Sequence, residues 1–179
     1  MRALNQQTLR SFMGLAGDRL TGDWVIIGGC VLHLLGLGQR VTFDIDVAGP
    51  GESGMDQAIP LMEIAEELGL PVESINQAGA FFLRRIDGWA KEIVAIHRGR
   101  TATFHVPNAT LFLLLKIGRL TEADLSDCLQ IIQHARSRDE PIDSKRVVES
   151  ARRILAADVS EGHAERIDAL LGSLGRPEG

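Results

Sequence analysis

The chain has 179 residues, 45% of them hydrophobic, so it can bury a proper core and suits one domain, or one domain with a helical extension. Its formal net charge of -5 at pH 7 argues against nonspecific adhesion to nucleic acid as the main activity, without excluding a local basic groove. No run approaches the ~20 apolar residues of a membrane span, so we expect no membrane partner.

The cysteines and the N-terminal segment bear on the cellular compartment. Cys30 and Cys128 lie in apolar runs without C-x-x-C or Cys/His spacing, which predicts reduced core residues and no zinc site. The segment "MRALNQQTLRSFMGLAGDRL" carries charges throughout and lacks the uninterrupted apolar stretch of a signal peptide. These features predict a cytoplasmic protein.

The hydrophobic period changes along the first part of the chain and predicts alternating helices and strands. An amphipathic helix covers about 5–20 and is closed by Gly22. Then follow the strand "WVII", a Gly-Gly turn, the apolar helix "CVLHLLGLG", the strand "VTFDIDV", the loop "GPGESG" and a helix in "MDQAIPLMEIAEELGL". The segments "PVES", "AFFLRRI", "KEIVAIH" and "TATFHV" are predicted as further strands.

Everything after Pro107 is predicted to be helical, in four helices with cap chemistry at Thr110, Thr121, Asp143 and Ser160. The order of elements predicts an α+β fold, with α/β-like alternation at the start, in which a mixed sheet with flanking helices precedes a C-terminal helical bundle. We expect a core domain over 1–107 and a helical region over 108–179 packed on it.

The stretch "TFDIDV" places two acidic side chains inside an otherwise apolar strand. Side chains alternate along a strand, so Phe43, Ile45 and Val47 are predicted to face the core while Asp44 and Asp46 share the other face. Two carboxylates ~7 Å apart at Cα repel unless a cation lies between them, which favours a divalent metal. The alternative is a half-exposed edge strand with two solvated aspartates.

The glycine pair of "WVIIGGC" lies one short helix before this strand. A Gly-Gly turn that leads into a helix presents backbone N–H groups without side chains in the way, which suits a polyphosphate. Alone the turn is a weak signal. Together with "RVTFDID" it predicts that the phosphate-binding turn and the metal-binding aspartates lie next to each other in the fold.

These residues carry a family resemblance. The run "GGCVLHLLGLGQRVTFDID" resembles the signature of the nucleotidyltransferase superfamily: a G-G or G-S turn, a short helix, and D-x-D on the next strand. Its Arg-x-Thr-x-Asp-x-Asp form is similar to the AbiEii-like branch, which includes toxins of bacterial toxin–antitoxin systems. Downstream, "KIGRLTEADLSD" resembles the K-x-x-R and D-x-x-D on the first two tail helices of these relatives.

The resemblance implies a nucleotidyltransferase-like fold and transfer of a nucleoside monophosphate from a nucleoside triphosphate to an acceptor such as tRNA or a protein. Mg²⁺ or Mn²⁺ would be the cofactor, and a toxin would have an antitoxin protein as partner. The resemblance implies metal and catalytic roles for Asp44 and Asp46, catalytic roles for Lys116 and Asp127, and nucleotide binding by Gly28, Gly29, Arg40, Thr42, Arg119 and Asp124.

The downstream motif also has a purely structural interpretation. Lys116 and Arg119 are three residues apart on one helix, and Asp124 and Asp127 are three apart on the next, so each pair shares a face. Two antiparallel helices with complementary faces form a salt-bridged hairpin. If the four residues instead form part of a site, Asp124 or Asp127 could orient Lys116 without touching substrate.

The chain departs from the family pattern at two places. Active members carry a third carboxylate on a later strand, where "TATFHV" offers Thr103 and His105, and the nearest acidic residue, Glu92, starts a strand. Gly29 stands where many of these enzymes have serine. The alternative function is therefore a catalytically reduced module of the same fold that acts through a nucleotide or a protein partner.

A basic stretch surrounds one predicted hairpin and consists of Arg84, Arg85, His97, Arg98 and Arg100. Such a stretch either guides RNA or a nucleotide or is a solvated turn. Aromatic residues make up only 4% of the chain, which predicts no stacking platform for bases.

Overall fold

The computed structural model of the protein describes residues 4–38, 41–51, 57–157 and 159–175. The chain divides into two compact units, Met1–Pro107 and Asn108–Gly179, here called the N-terminal unit and the C-terminal unit. Arg40 and the segment "ESG" of the predicted glycine-rich loop lie outside the described residues.

The N-terminal unit contains five strands and four α-helices in its described residues. In chain order these are α1 Gln6–Arg19, β1 Gly22–Ile27, α2 Cys30–Leu34, β2 Ile45–Ala48, α3 Ala58–Glu67, β3 Ile75–Asn76, α4 Ala80–Arg84, β4 Ile93–Arg98 and β5 Ala102–Pro107. The C-terminal unit contains α5 Ala109–Ile117, α6 Glu122–Ser137, α7 Ser144–Leu155 and α8 Glu161–Leu174. The predicted α+β class, a mixed sheet with flanking helices followed by helices, is confirmed.

The five strands form one sheet in the order β3-β2-β1-β5-β4. The central pair β1 and β5 is parallel, as is β2 with β3, whereas β1 with β2 and β4 with β5 are antiparallel. Helix α1 covers one face: Phe12 meets Phe104 edge to face at 5.6 Å between ring centroids, and Phe104 stacks on Trp24 at 6.4 Å. These three rings are fully buried and form the centre of the core.

The ladder register places Asp46 on the face opposite to those rings. Ile27 of β1 and Asn76 of β3 lie directly across from Asp46. Directly paired residues point to the same side of a sheet, so Ile27, Asp46 and Asn76 share a face. Val47, which is fully buried, points to the other face, toward α1.

The strand predicted for "VTFDIDV" forms only in its second half. β1 ends opposite Asp46 and β3 begins opposite Ile45, so the residues before Ile45 have no ladder partners in the described sheet. The carbonyl of Thr42 accepts a hydrogen bond from the backbone N–H of Leu4 at 2.9 Å. The predicted burial is correct for Ile45 and Val47 and wrong for Phe43, which is 38% exposed.

Two other predicted strands are wrong. "AFFLRRI" begins with the helix α4, in which Ala80 and Leu83 are the buried residues; their spacing of three is helical, so the apolar run does not alternate as a strand would. "PVES" is a 3₁₀ turn that precedes the two-residue strand β3. Its Ser74 hydroxyl donates to the Pro71 carbonyl at 2.6 Å, and such local bonds compete with a strand ladder.

The four predicted helices of the C-terminal unit are confirmed. Thr121, Asp143 and Ser160 are N-caps as predicted, but α5 is capped by Asn108, whose side chain accepts from the Leu111 N–H. Thr110 instead lies buried in α5 and its hydroxyl accepts from the backbone N–H of Asp143 at 2.9 Å. None of the helices in the described ranges is long and apolar enough to cross a membrane.

Candidate functional site

The Gly-Gly turn and Asp46 are in direct contact. Gly28 has a φ of +71°, in the left-handed region, and a Cβ built on it would lie 2.4 Å from Oδ2 of Asp46. Real Cβ atoms do not approach other heavy atoms within 3.0 Å, so a residue with a side chain could not occupy this position without displacing the carboxylate. The order strand, turn, helix, strand thus brings the glycine turn and one aspartate together.

Asp44 lies one residue before β2 and is exposed, whereas Asp46 within the strand is half-buried. The backbone of Asp44 is tied to the start of α2, because the thiol of Cys30 donates to its carbonyl oxygen at 2.8 Å. Gly29 is the residue that caps α2. The start of α2 is therefore joined to both parts of the site: its N-cap is Gly29 of the glycine turn, and its first residue, Cys30, bonds the backbone of Asp44.

The donor set of the two aspartates suits one divalent ion. Mg²⁺ takes one or two protein carboxylates and completes its octahedron with water and phosphate oxygens. In the described ranges no group of three or more His, Cys, Asp or Glu side chains converges as a metal cage. Asp44 and Asp46 are therefore candidate ligands for such an ion.

The strands considered for a third carboxylate are not next to β2. β5, which carries Thr103 and His105, is separated from β2 by β1, and Glu92 precedes β4 at the far edge of the sheet. Thr103, His105 and Glu92 therefore lie on no strand adjacent to Asp46. The strands beside Asp46 are β1 and β3.

Asn76 occupies the position beside Asp46 on β3 and was not predicted as a site residue. Its side-chain oxygen accepts from the backbone N–H of Ala78 at 3.2 Å, which closes an Asx-type turn after the strand. The only signal in the sequence is the turn-forming string "NQAG" after an apolar residue. An amide, not a carboxylate, therefore adjoins Asp46 on this side.

The downstream motif forms a compact ionic cluster within the C-terminal unit. Lys116 of α5 donates to Asp124 at 2.7 Å and to Asp127 at 3.2 Å, both on α6. The three side chains are 7%, 1% and 2% exposed, respectively. Arg119 adds a bidentate pair to Asp124 at 2.8 and 2.9 Å.

The carboxylate of Asp124 is saturated by donors. Besides Lys116 and Arg119, it accepts from the backbone N–H of Thr121 at 3.1 Å and from the Thr121 hydroxyl at 2.8 Å, which completes the capping box of α6. A carboxylate offers about four lone-pair positions, and five donors already surround this one. Asp124 thus holds Lys116 and the helix start, as the salt-bridged hairpin predicts, while nucleotide contacts by Lys116, Arg119 and Asp127 stay a prediction.

The pKa of Asp124 follows from these bonds. Burial by itself would raise the pKa, but the hydrogen bonds from Arg119, Lys116 and Thr121 outweigh it and hold the pKa of this carboxyl well below its usual range. Because the pKa is lower in the folded chain, ionised Asp124 stabilises the fold above the unfolded value of about 4. That contribution is lost as the pH falls toward the folded value.

We therefore expect acid to weaken the wild type more than an Asp124→Asn variant. The free energy of unfolding in urea should fall for the wild type between about pH 5 and pH 2, with a shallower fall for Asp124→Asn, which is already less stable at neutral pH. Asp168→Asn, an exposed aspartate on α8, is the control and should keep the wild-type slope. Equal slopes for wild type and Asp124→Asn would contradict the bonding described here.

Both cysteines are buried and unpaired with each other, as the sequence predicts. Burial raises the pKa of the Cys128 thiol to about 12, and its position beside the ionic cluster does not reverse that shift. The thiolate is therefore negligible near neutral pH. Cys128 is a core residue, not a nucleophile.

Comparison with known proteins adds no relative: no family model, no curated protein and no solved structure matches the chain.

Proposed function

We propose that the chain is a nucleotidyltransferase that moves a nucleoside monophosphate from a nucleoside triphosphate to an acceptor, with Mg²⁺ or Mn²⁺ as cofactor. RNA, such as a tRNA, is the acceptor class we favour, and a toxin role with an antitoxin partner is part of the same proposal. The observation that carries it is the contact between the Gly28 turn and the carboxylate of Asp46. Because of this contact, one nucleoside triphosphate could bind the backbone N–H groups of the turn and a cation held by Asp46 at the same time.

The proposed roles divide between backbone and side chains. The N–H groups of Gly28 and Gly29 donate to phosphate oxygens, and Asp44 and Asp46 hold the cation beside them. When bound, the cation neutralises charge on the triphosphate. Asp46 is positioned by the turn, and Asp44 by the bond from Cys30 to its carbonyl.

The reaction is an in-line displacement at the α-phosphorus. The acceptor hydroxyl oxygen forms a bond to that phosphorus, the bond from phosphorus to the oxygen bridging to the β-phosphate breaks, and pyrophosphate leaves. The hydroxyl proton passes to solvent. The enzyme's contribution is to align the triphosphate against the acceptor and stabilise its charge.

Replacing Asp46 tests the proposal directly. We expect Asp46→Asn to lower transfer of a labelled nucleoside monophosphate to cellular RNA by at least about a hundredfold, because one charge at the metal site is lost. The readout is label retained on RNA after gel separation. Melting of the variant measured in parallel shows whether the fold is kept.

Asp23→Asn is the matched control. Asp23 is an exposed aspartate of β1 on the same face of the sheet as Asp46, and its contact with His105 is long, at 3.9 Å. This variant should keep wild-type transfer. Equal transfer by wild type and Asp46→Asn would end the enzyme proposal.

One observation favours a second candidate function, a module of the same fold that binds a nucleotide without transferring it. Asn76 is the ladder partner of Asp46 on β3, so the neighbouring strand supplies an amide and no further carboxylate at this position. This candidate predicts nucleotide binding that depends on Asp46 but no turnover with any divalent metal. Turnover that is lost in Asp46→Asn excludes it.

A further inference from the structure

Two adjacent phenylalanines of α4 stand on the surface. Phe81 is 59% exposed and Phe82 is 62% exposed, while their neighbours Ala80 and Leu83 are buried against the sheet. The chain has six phenylalanines, so a pair exposed on one five-residue helix is a concentration of aromatic surface. Exposed apolar clusters of this kind mark binding surfaces.

Helix α4 lies on the same face of the sheet as Asp46. A Cβ built on Gly79, at the start of α4, would lie 2.3 Å from Cδ1 of Ile27, so the helix start packs directly on that side chain. Ile27 shares its face with Asp46 because the two residues are direct ladder partners. With a helical rise of about 1.5 Å per residue, Phe81 and Phe82 follow within a few ångströms of this contact along the helix axis.

The far end of α4 is also fixed. Arg84 donates to the carbonyl of Gly49 at 2.9 Å and to the carbonyl of Gly51, so the helix is held to the segment that follows β2. Ligand-binding surfaces on anchored elements present their side chains with less loss of conformational freedom. The aromatic pair is thus fixed on the outer side of a helix that packs on the sheet face carrying Asp46.

The geometry of the pair leaves ring surface for stacking. The rings of Phe81 and Phe82 meet edge to face, 5.5 Å apart at an angle of 83°, and the guanidinium of Arg85 lies 5.0 Å from the Phe81 centroid. In either orientation of an edge-to-face pair, Phe82 has one ring face that Phe81 does not cover. Flat nucleobases stack on such rings and on guanidinium planes.

The charge that follows the pair in the chain favours a polyanion over an apolar partner. The exposed charged residues after the two rings are Arg84 and Arg85 and then Asp87, so this flank has a net positive charge. From the exposed rings and the flanking arginines we infer, against the expectation from the low aromatic content, that Phe81, Phe82 and Arg85 form a stacking platform for unpaired bases of single-stranded RNA. The inference rests on the proposed function, since it takes the bound strand to be the acceptor.

Binding of a labelled single-stranded RNA tests the platform. The probe is an unstructured oligonucleotide of about ten nucleotides, followed by fluorescence anisotropy with the full chain, in EDTA and without nucleoside triphosphate. We expect Phe81→Ala with Phe82→Ala to weaken binding at least about tenfold, and Phe82→Tyr to retain it, because tyrosine keeps the stacking ring. A duplex of the same sequence should bind more weakly, since its bases are already stacked.

Ile59→Ala is the matched control, because Ile59 is a 68% exposed apolar residue on α3. It should leave RNA affinity unchanged. Unchanged affinity in the double phenylalanine variant, or equal binding of duplex and single strand, overturns the platform. A change of oligomeric state without a change in RNA affinity also overturns it and assigns the rings to a protein contact.

The two proposals fail separately in these experiments. RNA binding in EDTA needs neither metal nor nucleotide, so it is expected to persist in Asp46→Asn. RNA binding that depends on Phe81 and Phe82 supports the platform. It does so whether or not the protein transfers nucleotides. If nucleotide transfer is lost in Asp46→Asn but is unchanged in the double phenylalanine variant, the enzyme proposal is supported and the platform is rejected.

Discussion

Replacing Lys116 by methionine is expected to lower the free energy of unfolding by about 3–5 kcal/mol. Methionine retains much of the apolar stem but removes the ammonium that bonds Asp124 and Asp127. Both carboxylates are almost fully buried, and Asp124 keeps Arg119 while Asp127 loses its ammonium partner. A buried charge without its partner costs far more than an exposed pair contributes.

Urea unfolding followed by circular dichroism measures this effect, with Lys145→Met as control. Lys145 is an exposed lysine of α7 in the same unit, so its replacement should change stability by no more than about 0.5 kcal/mol. A further variant combines Lys116→Met with Asp127→Leu and should recover part of the loss, because it removes the Asp127 carboxylate together with the ammonium that bonds it. A loss below about 1 kcal/mol for Lys116→Met would show that the cluster does not hold α5 to α6.

Gly28→Ala is expected to damage both the fold and the site. Its φ of +71° costs a residue with a side chain about 1–3 kcal/mol, and the new Cβ would lie 2.4 Å from Oδ2 of Asp46. The carboxylate must move away from the turn. We expect metal-dependent nucleotide affinity to fall at least about tenfold, since ligand groups must be held closely to their productive position.

Gly36→Ala is the control that separates the cost of a positive φ from the loss of the contact between Gly28 and Asp46. Gly36 has a φ of +76°, close to that of Gly28, but nothing lies within 4 Å of a Cβ built on it. Its alanine variant should show a similar loss of stability and unchanged nucleotide affinity. Equal affinity losses in Gly28→Ala and Gly36→Ala would mean that the contact with Asp46 has no part in binding.

The parts of the site that are local in sequence are predictable, and those set by strand pairing are not. The proximity of the glycine turn to "DID" follows from a short strand, a turn, a helix and a strand that follow one another directly in the chain. The neighbours of Asp46 depend on which strands pair with β2, and that choice is made by contacts distant in the chain. This is why the sequence does not reveal that Asn76 lies beside Asp46, or that Thr103, His105 and Glu92 lie on strands that are not adjacent to it.

Similar reasoning explains the errors in secondary structure. The string "AFFLRRI" has an apolar run that suits a buried strand or a short helix, and only packing of Ala80 and Leu83 on the sheet decides for the helix. The exposure of Phe81 and Phe82 follows from that choice. The ionic cluster is more predictable, because spacing of three within each helix and the Thr-x-x-Asp capping box are local features.

The most direct test of the central claim is thermal melting with each of the four ribonucleoside triphosphates, with and without Mg²⁺, for wild type and Asp46→Asn. A ligand at about 100 times its Kd adds ~2.7 kcal/mol, which raises the melting temperature by a few degrees for a chain of this size. We predict a Mg²⁺-dependent rise for at least one triphosphate that is lost in the variant. No rise with any triphosphate, or the same rise in Asp46→Asn, would contradict a nucleotide–metal site at Gly28 and Asp46.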